Sequence, residues 1–271
     1  MYPTTYRRPK TLAEAKQMFA ESENASFLSG GHTLLPALKL RLANPSDLID
    51  LSAIPDLRGI KIEGRTLVIG ATTLHAEVAE SPLVRRHIAA LAGLAGSIGD
   101  RHVRHRGTMG GSVSNNDPAA DYPSAVLGLG AVVVTDKRRI PADDFFTGLY
   151  ETAREPGEIL TRVEFPIPDE AGYAKFMSAA SRFSIAGVFV SRMGRTIRVA
   201  VTGAGSGGVF RATELEAALA ADFRAEALVN VVIDPSGMMG DQNGTPEYRA
   251  NLVMVMARRA VQNMGTITVC K

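Results

Sequence analysis

Apolar positions near the start of the chain fall on a helical period, with Leu12, Ala15, Met18 and Phe19 on one stripe. Thr11-Leu12-Ala13-Glu14 precedes that stripe as a capping box, the threonine placed to accept from the helix N-terminus and the glutamate to reach back. A first helix is expected there. Ala25 to Ser29 then reads as a short extended run that stops at Gly30-Gly31-His32-Thr33, after which Leu34, Leu35, Leu38 and Leu42 resume helical spacing. Asp47 to Leu51, Gly59 to Ile62 and Thr66 to Ile69 read as strands, the last two joined by a turn at Glu63-Gly64-Arg65. Ser81-Pro82 opens a helix expected to run to about Ile98 and to end at Gly99. Asp100 to Pro123 shows neither period. So long an irregular stretch, rich in Gly, Asn and Asp, is a candidate site.

Ala131 to Thr135 and Ile159 to Phe165 complete a strand-rich first part, and Pro166-Ile167-Pro168-Asp169-Glu170-Ala171-Gly172 is the best domain boundary. The second part predicts strands at Tyr173 to Ser178, Ile185 to Arg192 and Thr196 to Thr202, with helices after Thr213 and after Pro246. The expected architecture is a three-stranded meander covered by helices. No internal repeat is found.

With 271 residues the chain has room for about two domains. Its 45% hydrophobic and 21% charged content is that of an ordinary globular protein. A formal charge of +2 gives no nucleic-acid footprint, so any anion site must be local. Cys270 is the only cysteine, which rules out an internal disulfide and a four-thiolate iron–sulfur cluster. The first eight residues lack the apolar stretch of a signal peptide, and no apolar run approaches the length of a membrane span. A cytoplasmic location without membrane insertion is expected.

Two glycine loops carry the sharpest chemistry, Ser29-Gly30-Gly31-His32-Thr33 and Thr108-Met109-Gly110-Gly111-Ser112. Adjacent glycines permit positive φ and bare the backbone, so successive N–H groups can converge on an anion while hydroxyls donate as well. Two such cradles closing from opposite sides would suit a diphosphate. Neither has the Gly-Lys-Ser/Thr ending of a nucleotide-hydrolysing loop.

Ser-Gly-Gly-His-Thr-Leu-Leu-Pro-Ala-Leu-Lys-Leu-Arg-Leu at 29–42 resembles the first flavin loop of the molybdenum hydroxylase medium subunits. Val103 to Ser112, continuing into Asn116-Asp117-Pro118-Ala119-Ala120-Asp121-Tyr122-Pro123, is similar to the second loop in carbon monoxide dehydrogenase, xanthine dehydrogenase and aldehyde oxidase type flavoproteins. The likeness extends to Tyr6 through Thr11, Pro156-Gly157-Glu158-Ile159-Leu160, Ser181-Arg182-Phe183 and Tyr248-Arg249.

This resemblance implies an α+β chain: a vanillyl-alcohol-oxidase-type FAD-binding fold over 1–168, in two subdomains dividing near 55–60, and a small C-terminal α+β domain over 169–271. It places Leu28, Ser29, Gly30, Gly31, His32, Thr33, Leu34 and Leu35, with Thr108, Met109, Gly110, Gly111 and Ser112, around the diphosphate of FAD. Asp121 would hydrogen-bond FAD hydroxyls, and Ile98, Leu160 and Phe183 would lie along the adenine or flavin rings. It also implies partners: a large molybdopterin-binding subunit holding the molybdenum cofactor and a small subunit holding [2Fe-2S] clusters, in a dimer of heterotrimers. Electrons would reach a non-covalent FAD in this chain and leave to a quinone, dioxygen or NAD. No catalytic side-chain base and no metal are expected in the chain. Met109 replaces the usual isoleucine, a change conservative in volume. Met177 stands where relatives often carry a basic residue.

Gly203-Ala204-Gly205-Ser206-Gly207-Gly208 after Val199-Ala200-Val201 satisfies the dinucleotide fingerprint and supports a rival reading as a Rossmann-type nicotinamide enzyme or nucleotide-binding module. Against it, Thr213-Glu214-Leu215-Glu216 is a capping box that starts the next helix several residues too late. Arg101, His102, Arg104, His105 and Arg106 form a cationic run that could favour an anionic cofactor, face a partner or be solvated. Asp117 and Asp121 lack the histidine pattern of a transition-metal site. His32 could carry a covalent flavin link, although its loop is better suited to backbone contacts. A stand-alone flavin oxidase of the same fold is the third class, and it should carry its own acid/base residues. The second part shows no clear His/Tyr/Asp cluster of that kind.

Overall fold

In the computed structural model, which describes residues 1–270, the chain opens with β1 (Thr5–Arg7), α1 (Leu12–Ala20), β2 (Ala25–Leu28), α2 (Leu34–Lys39) and β3 (Asp47–Asp50). The Thr11 hydroxyl accepts from the Glu14 N–H at 3.1 Å, and the Glu14 carboxylate accepts from the Lys10 N–H at 2.7 Å. The cap therefore forms as expected, with the glutamate reaching one residue further back. The strands make a parallel sheet in the order β1-β3-β2, which needs α1 and α2 as crossovers. Ala15, Ile49, Leu51, Ile54 and Leu57 form its core. Helix α2 is only six residues long: Arg41 turns to φ +61°, leaving Leu42 outside the expected stripe and 78% exposed.

β4 (Ile60–Glu63) and β5 (Thr66–Gly70) form the expected hairpin, and a helical series follows: α3 (His75–Glu80), α4 (Pro82–His87), α5 (Ala89–Ser97), α6 (Arg101–Arg104), α7 (Met109–Asn115) and α8 (Tyr122–Gly128). The single helix expected from Pro82 to Ile98 is two, broken at Ile88, whose φ −143° and ψ 71° leave the helical region. That break sends Ile88 into the core, 2% exposed, while Arg85 and Arg86 stay outside. The stretch from Asp100 to Pro123 is likewise more ordered than expected. Side chains close its short helices where apolar period is lacking: Asp100 accepts from Val103 N–H at 2.9 Å and Thr108 from Gly111 N–H at 3.2 Å. Asn116, at φ +44°, ends α7, and its amide donates to Gly148 O and Glu151 O.

β6 (Val132–Thr135), β7 (Arg139–Pro141), α9 (Ala142–Phe145), the hairpin of β8 (Phe146–Gly148) and β9 (Glu151–Thr152), and β10 (Leu160–Pro166) complete this part. Its antiparallel sheet has the order β4-β5-β10-β6-β7.

The expected meander is present as β11 (Glu170–Met177), β12 (Ser184–Met193) and β13 (Thr196–Thr202). Two edges extend it to five strands. β14 (Phe210–Arg211) pairs with β13 ahead of α10 (Thr213–Ala221) and α11 (Pro246–Gln262), and β15 (Ile267–Cys270) then lies parallel to β11. Strand alternation gives this sheet two buried faces. Ala174, Val188 and Val199 pack with Leu215, Leu219, Val253 and Met256 of α10 and α11. Tyr173, Phe189 and Ala200 face the other way and join the core that holds Leu91, Leu94, Ala125 and Val126 of α5 and α8. One apolar core thus runs across the 166–172 segment.

Gly203 to Gly208 lie in the connection between β13 and β14, which are antiparallel, so no strand–helix–strand crossover surrounds the glycines and the Rossmann reading falls. Nor does the Thr213 capping box form. Ala212 is the cap residue, and Glu216 accepts instead from the Val199 N–H at 2.9 Å and from Arg211.

Candidate functional site

The first glycine loop leaves the buried end of β2 at Leu28 and enters α2 at Leu34 and Leu35. Gly31 takes φ +75°, which favours glycine. Among the described residues, the N–H groups of Gly30, Gly31, His32 and Thr33 have no hydrogen-bond partner in the chain. Gly30 and Gly31 are half-buried, and His32 and Thr33 are exposed. Four free donors on a glycine turn suit a phosphate anion.

The second loop lies directly against the first. Ser29 Oγ and Thr108 Oγ1 share a hydrogen bond at 2.9 Å, and a Cβ on Gly30 would lie 2.4 Å from Arg106 O. Its amides, however, are already used, which changes the expected picture of two facing cradles. Met109 N–H donates to Thr73 O at 3.0 Å, Gly110 N–H to Ala71 O at 2.9 Å, Gly111 N–H to Thr108 Oγ1 and Ser112 N–H to Thr108 O. Gly110 has no Cβ because Ala71 fills that space, 2.6 Å away. Close backbone packing therefore accounts for this glycine. What the second loop can still offer an anion is the Thr108 N–H and the Thr108 and Ser112 hydroxyls.

Asp121 occupies the N-cap position of α8, 4% exposed, and its carboxylate is the centre of a buried cluster. Lys175 Nζ donates to its two oxygens at 3.0 and 3.1 Å, Ser184 Oγ donates at 2.9 Å, and the Tyr173 hydroxyl donates to Oδ1. Burial first, and the Asp121 charge second, push the Tyr173 phenol far up, so it stays a donor. Lys175 is fully buried and also donates to Ser97 O at 3.3 Å and Arg182 O at 3.2 Å. No motif in the sequence marks this lysine, and Met177, where relatives often carry a basic residue, is buried two residues later. Strand parity was the available signal, since Tyr173 and Lys175 share a face of β11. The carboxylate expected to hydrogen-bond cofactor hydroxyls is held within the chain by three side chains.

Ile98 caps α5, and Phe183, 49% exposed, sits on the turn between β11 and β12. The two meet through Gly99, whose carbonyl accepts from Arg104 at 3.1 Å and from Arg182 at 3.2 Å. Arg182 is held at φ +63° by these bonds and by its own carbonyl on Lys175. A non-glycine residue in that region costs about 1 kcal/mol or more, so the turn is over-determined. Leu160, 4% exposed at the start of β10, belongs to the core cluster against which Ile98 packs.

His75 stands behind the second loop, with its ring against Gly107 and its Nδ1 buried without a partner. Burial above all, with the positive charges of His32 and Arg104, pushes its pKa down to about 3. Among the described residues, no cluster of three or more His, Cys, Asp or Glu side chains could hold a metal ion, and no helix is long and apolar enough to cross a membrane.

A family model described as the FAD binding domain in molybdopterin dehydrogenase matches residues 2–168. The carbon monoxide dehydrogenase medium chain of Hydrogenophaga pseudoflava is 33% identical, with 94% of this chain and 95% of the relative covered. The nicotine 6-hydroxylase medium subunit of Paenarthrobacter nicotinovorans is 32% identical over 97% of this chain and 98% of its own length. Among solved structures, reconstituted CO dehydrogenase from Oligotropha carboxidovorans superposes with a TM-score of 0.87 at 32% identity, covering 96% of each chain.

Proposed function

The chain belongs to the family of FAD-binding domains in molybdopterin dehydrogenases, and on that premise we propose that it passes electrons from the iron–sulfur clusters of a partner subunit to an external acceptor. It is the flavoprotein subunit of an oxidoreductase with the fold of the carbon monoxide dehydrogenase medium chains. The observation that carries the proposal is the row of four free amides at Gly30 to Thr33, fixed against Thr108 by the Ser29 hydroxyl.

In this reading residues 1–168 hold the cofactor and 169–271 close over it. The amides of 30–33, with Thr108 and Ser112, neutralise a diphosphate, while Leu28, Leu34 and Leu35 support the first loop from below. Met109, Gly110 and Gly111 act through packing, by setting the second loop on the Ala71–Thr73 backbone. Ile98 and Phe183 flank a ring at the rim. Bound FAD supplies a carrier that takes up two electrons and can exchange them singly. The chain itself moves no proton in the reaction, and its task is to hold, orient and keep one edge accessible to a quinone, dioxygen or NAD. Oxidation of the organic substrate belongs to a large molybdopterin subunit in a cytoplasmic dimer of heterotrimers, and FAD is held without a covalent bond.

Purification tests this. The isolated chain should bind FAD in one-to-one ratio, release it on acid precipitation, and oxidise no substrate until the iron–sulfur and molybdenum subunits are added. Full oxidase activity from the chain alone would overturn the proposal in favour of a self-sufficient flavin oxidase.

A further inference from the structure

The cationic run around residues 101–106 lines a cavity that includes no residue of the two glycine loops. Helices α3 to α6 enclose a half-open cavity of about 700 Å³ on the outside of the flavin domain. Its floor is made of Ala76, Ala92 and Gly96, whose side chains are no longer than a methyl group, together with Gly93, on which Ile267 packs. Its rim carries Arg85, Arg101, Arg104 and His105, with Glu80 as the one carboxylate.

The charge is concentrated and uncompensated. Residues 81–116 contain five arginines and a single acidic residue, Asp100, although the whole chain carries only +2. The Asp100 carboxylate is engaged with the Val103 N–H, and its pKa is lowered chiefly by that bond. Among the described residues Arg85, Arg86, Arg101 and Arg104 form no ion pair, whereas fifteen other Lys and Arg side chains do.

We propose that this groove is the docking surface for an acidic segment of the iron–sulfur subunit, an inference that rests on the functional reading above. Charge selects the occupant: an unpaired basic rim steers and orients an anionic surface, and pairs formed on docking lose their exposure to water. The floor argues against a small anion, because alanine methyls and glycine backbone within helices offer no converging donors. Arg104, moreover, is anchored by its Nη1 to Ile98 O at 2.9 Å and Gly99 O at 3.1 Å. A protein segment with small apolar side chains flanked by Asp or Glu matches both floor and rim. Position gives the surface its purpose. Helix α6 runs through Gly107 into Thr108, and Arg104 grips the Ile98 and Gly99 carbonyls, so a chain seated here lies one helix away from the cofactor loops.

The test uses the complete subunits. Arg85→Glu with Arg101→Glu reverses two exposed rim charges without touching Arg104, and Arg195→Glu, on the exposed β12–β13 turn, is the charge-matched control. Affinity for the iron–sulfur subunit is read by calorimetry at several salt concentrations, and FAD content by absorbance. The expected result is an affinity at least ~10-fold weaker, equivalent to about 1.4 kcal/mol, and a shallower salt dependence for the rim variant alone, with FAD content unchanged in both. A photo-crosslinker at Ala89 should capture the iron–sulfur subunit. Unchanged affinity in the rim variant, or capture of the molybdenum subunit, overturns the surface assignment and leaves the functional reading standing. A wild-type chain that binds FAD yet joins no iron–sulfur subunit overturns that reading, and with it the assignment.

Discussion

Replacing Lys175 by methionine keeps the length of the side chain and removes its charge, which isolates what the buried ion pair does. Lys175 is 0% and Asp121 5% exposed at the side chain. Removal leaves the Asp121 carboxylate with the Tyr173 and Ser184 hydroxyls, and deprives Ser97 O and Arg182 O of a donor. Breaking one half of a buried pair costs about 3–5 kcal/mol, because the remaining charge has lost its counterion. Two hydroxyl donors stay on the carboxylate, so the lower half of that range is expected, still a factor of roughly 100 or more in the folded-to-unfolded ratio. Urea unfolding of the FAD-free chain at neutral pH, followed by circular dichroism, measures it. Asp121→Asn combined with Lys175→Met should recover about 2 kcal/mol relative to the sum of the single changes, since neither charge is then stranded. A Lys175→Met loss below about 1 kcal/mol, the range of exposed pairs, would refute the reasoning.

Gly30→Ala should weaken FAD binding by ~10-fold or more, measured by flavin titration, because the new methyl would meet Arg106 O at 2.4 Å and drive the two loops apart. His75 sets a pH dependence. Unfolded, it protonates near pH 6.5, but the fold holds it neutral to about 3. Its stabilising effect is therefore complete above pH 6.5 and declines as the pH falls through that window, by about 1.4 kcal/mol per unit, and His75→Gln should flatten the slope of unfolding free energy between pH 6 and 5 (roughly, the onset of that window). Glu158, held by Arg138 first and also by the Thr135 hydroxyl, has its pKa lowered to about 2. Its contribution is present above about pH 4.5 and lost toward 2, so Glu158→Gln should be less stable than wild type at neutral pH and lose less on acidification.

Elements with a full period were legible in the sequence. Helices α1 and α11 and the strands of the meander lie where apolar spacing puts them, because each buries one continuous face. Helices α3, α6 and α7 were not, since they are held by caps such as Leu74 N–H on Glu77 and Gly111 N–H on Thr108 rather than by a stripe. The second glycine loop shows a deeper ambiguity. A Gly-Gly pair arises when a turn needs positive φ, as at Gly31, and equally when another backbone must come close, as at Gly30 on Arg106 and Gly110 on Ala71. Local sequence does not separate the two causes. The Asp121–Lys175 pair joins residues 54 apart, and only the packing of the β11–β13 sheet on α5 and α8 reveals it.

The core shared across residues 166–172 constrains how the cofactor gets in. Swinging the two halves apart like a clam shell would strip Tyr173, Phe189 and Ala200 from the helices they cover and strand Lys175 from its carboxylate. The halves are welded, so a hinge between them is no route for the cofactor.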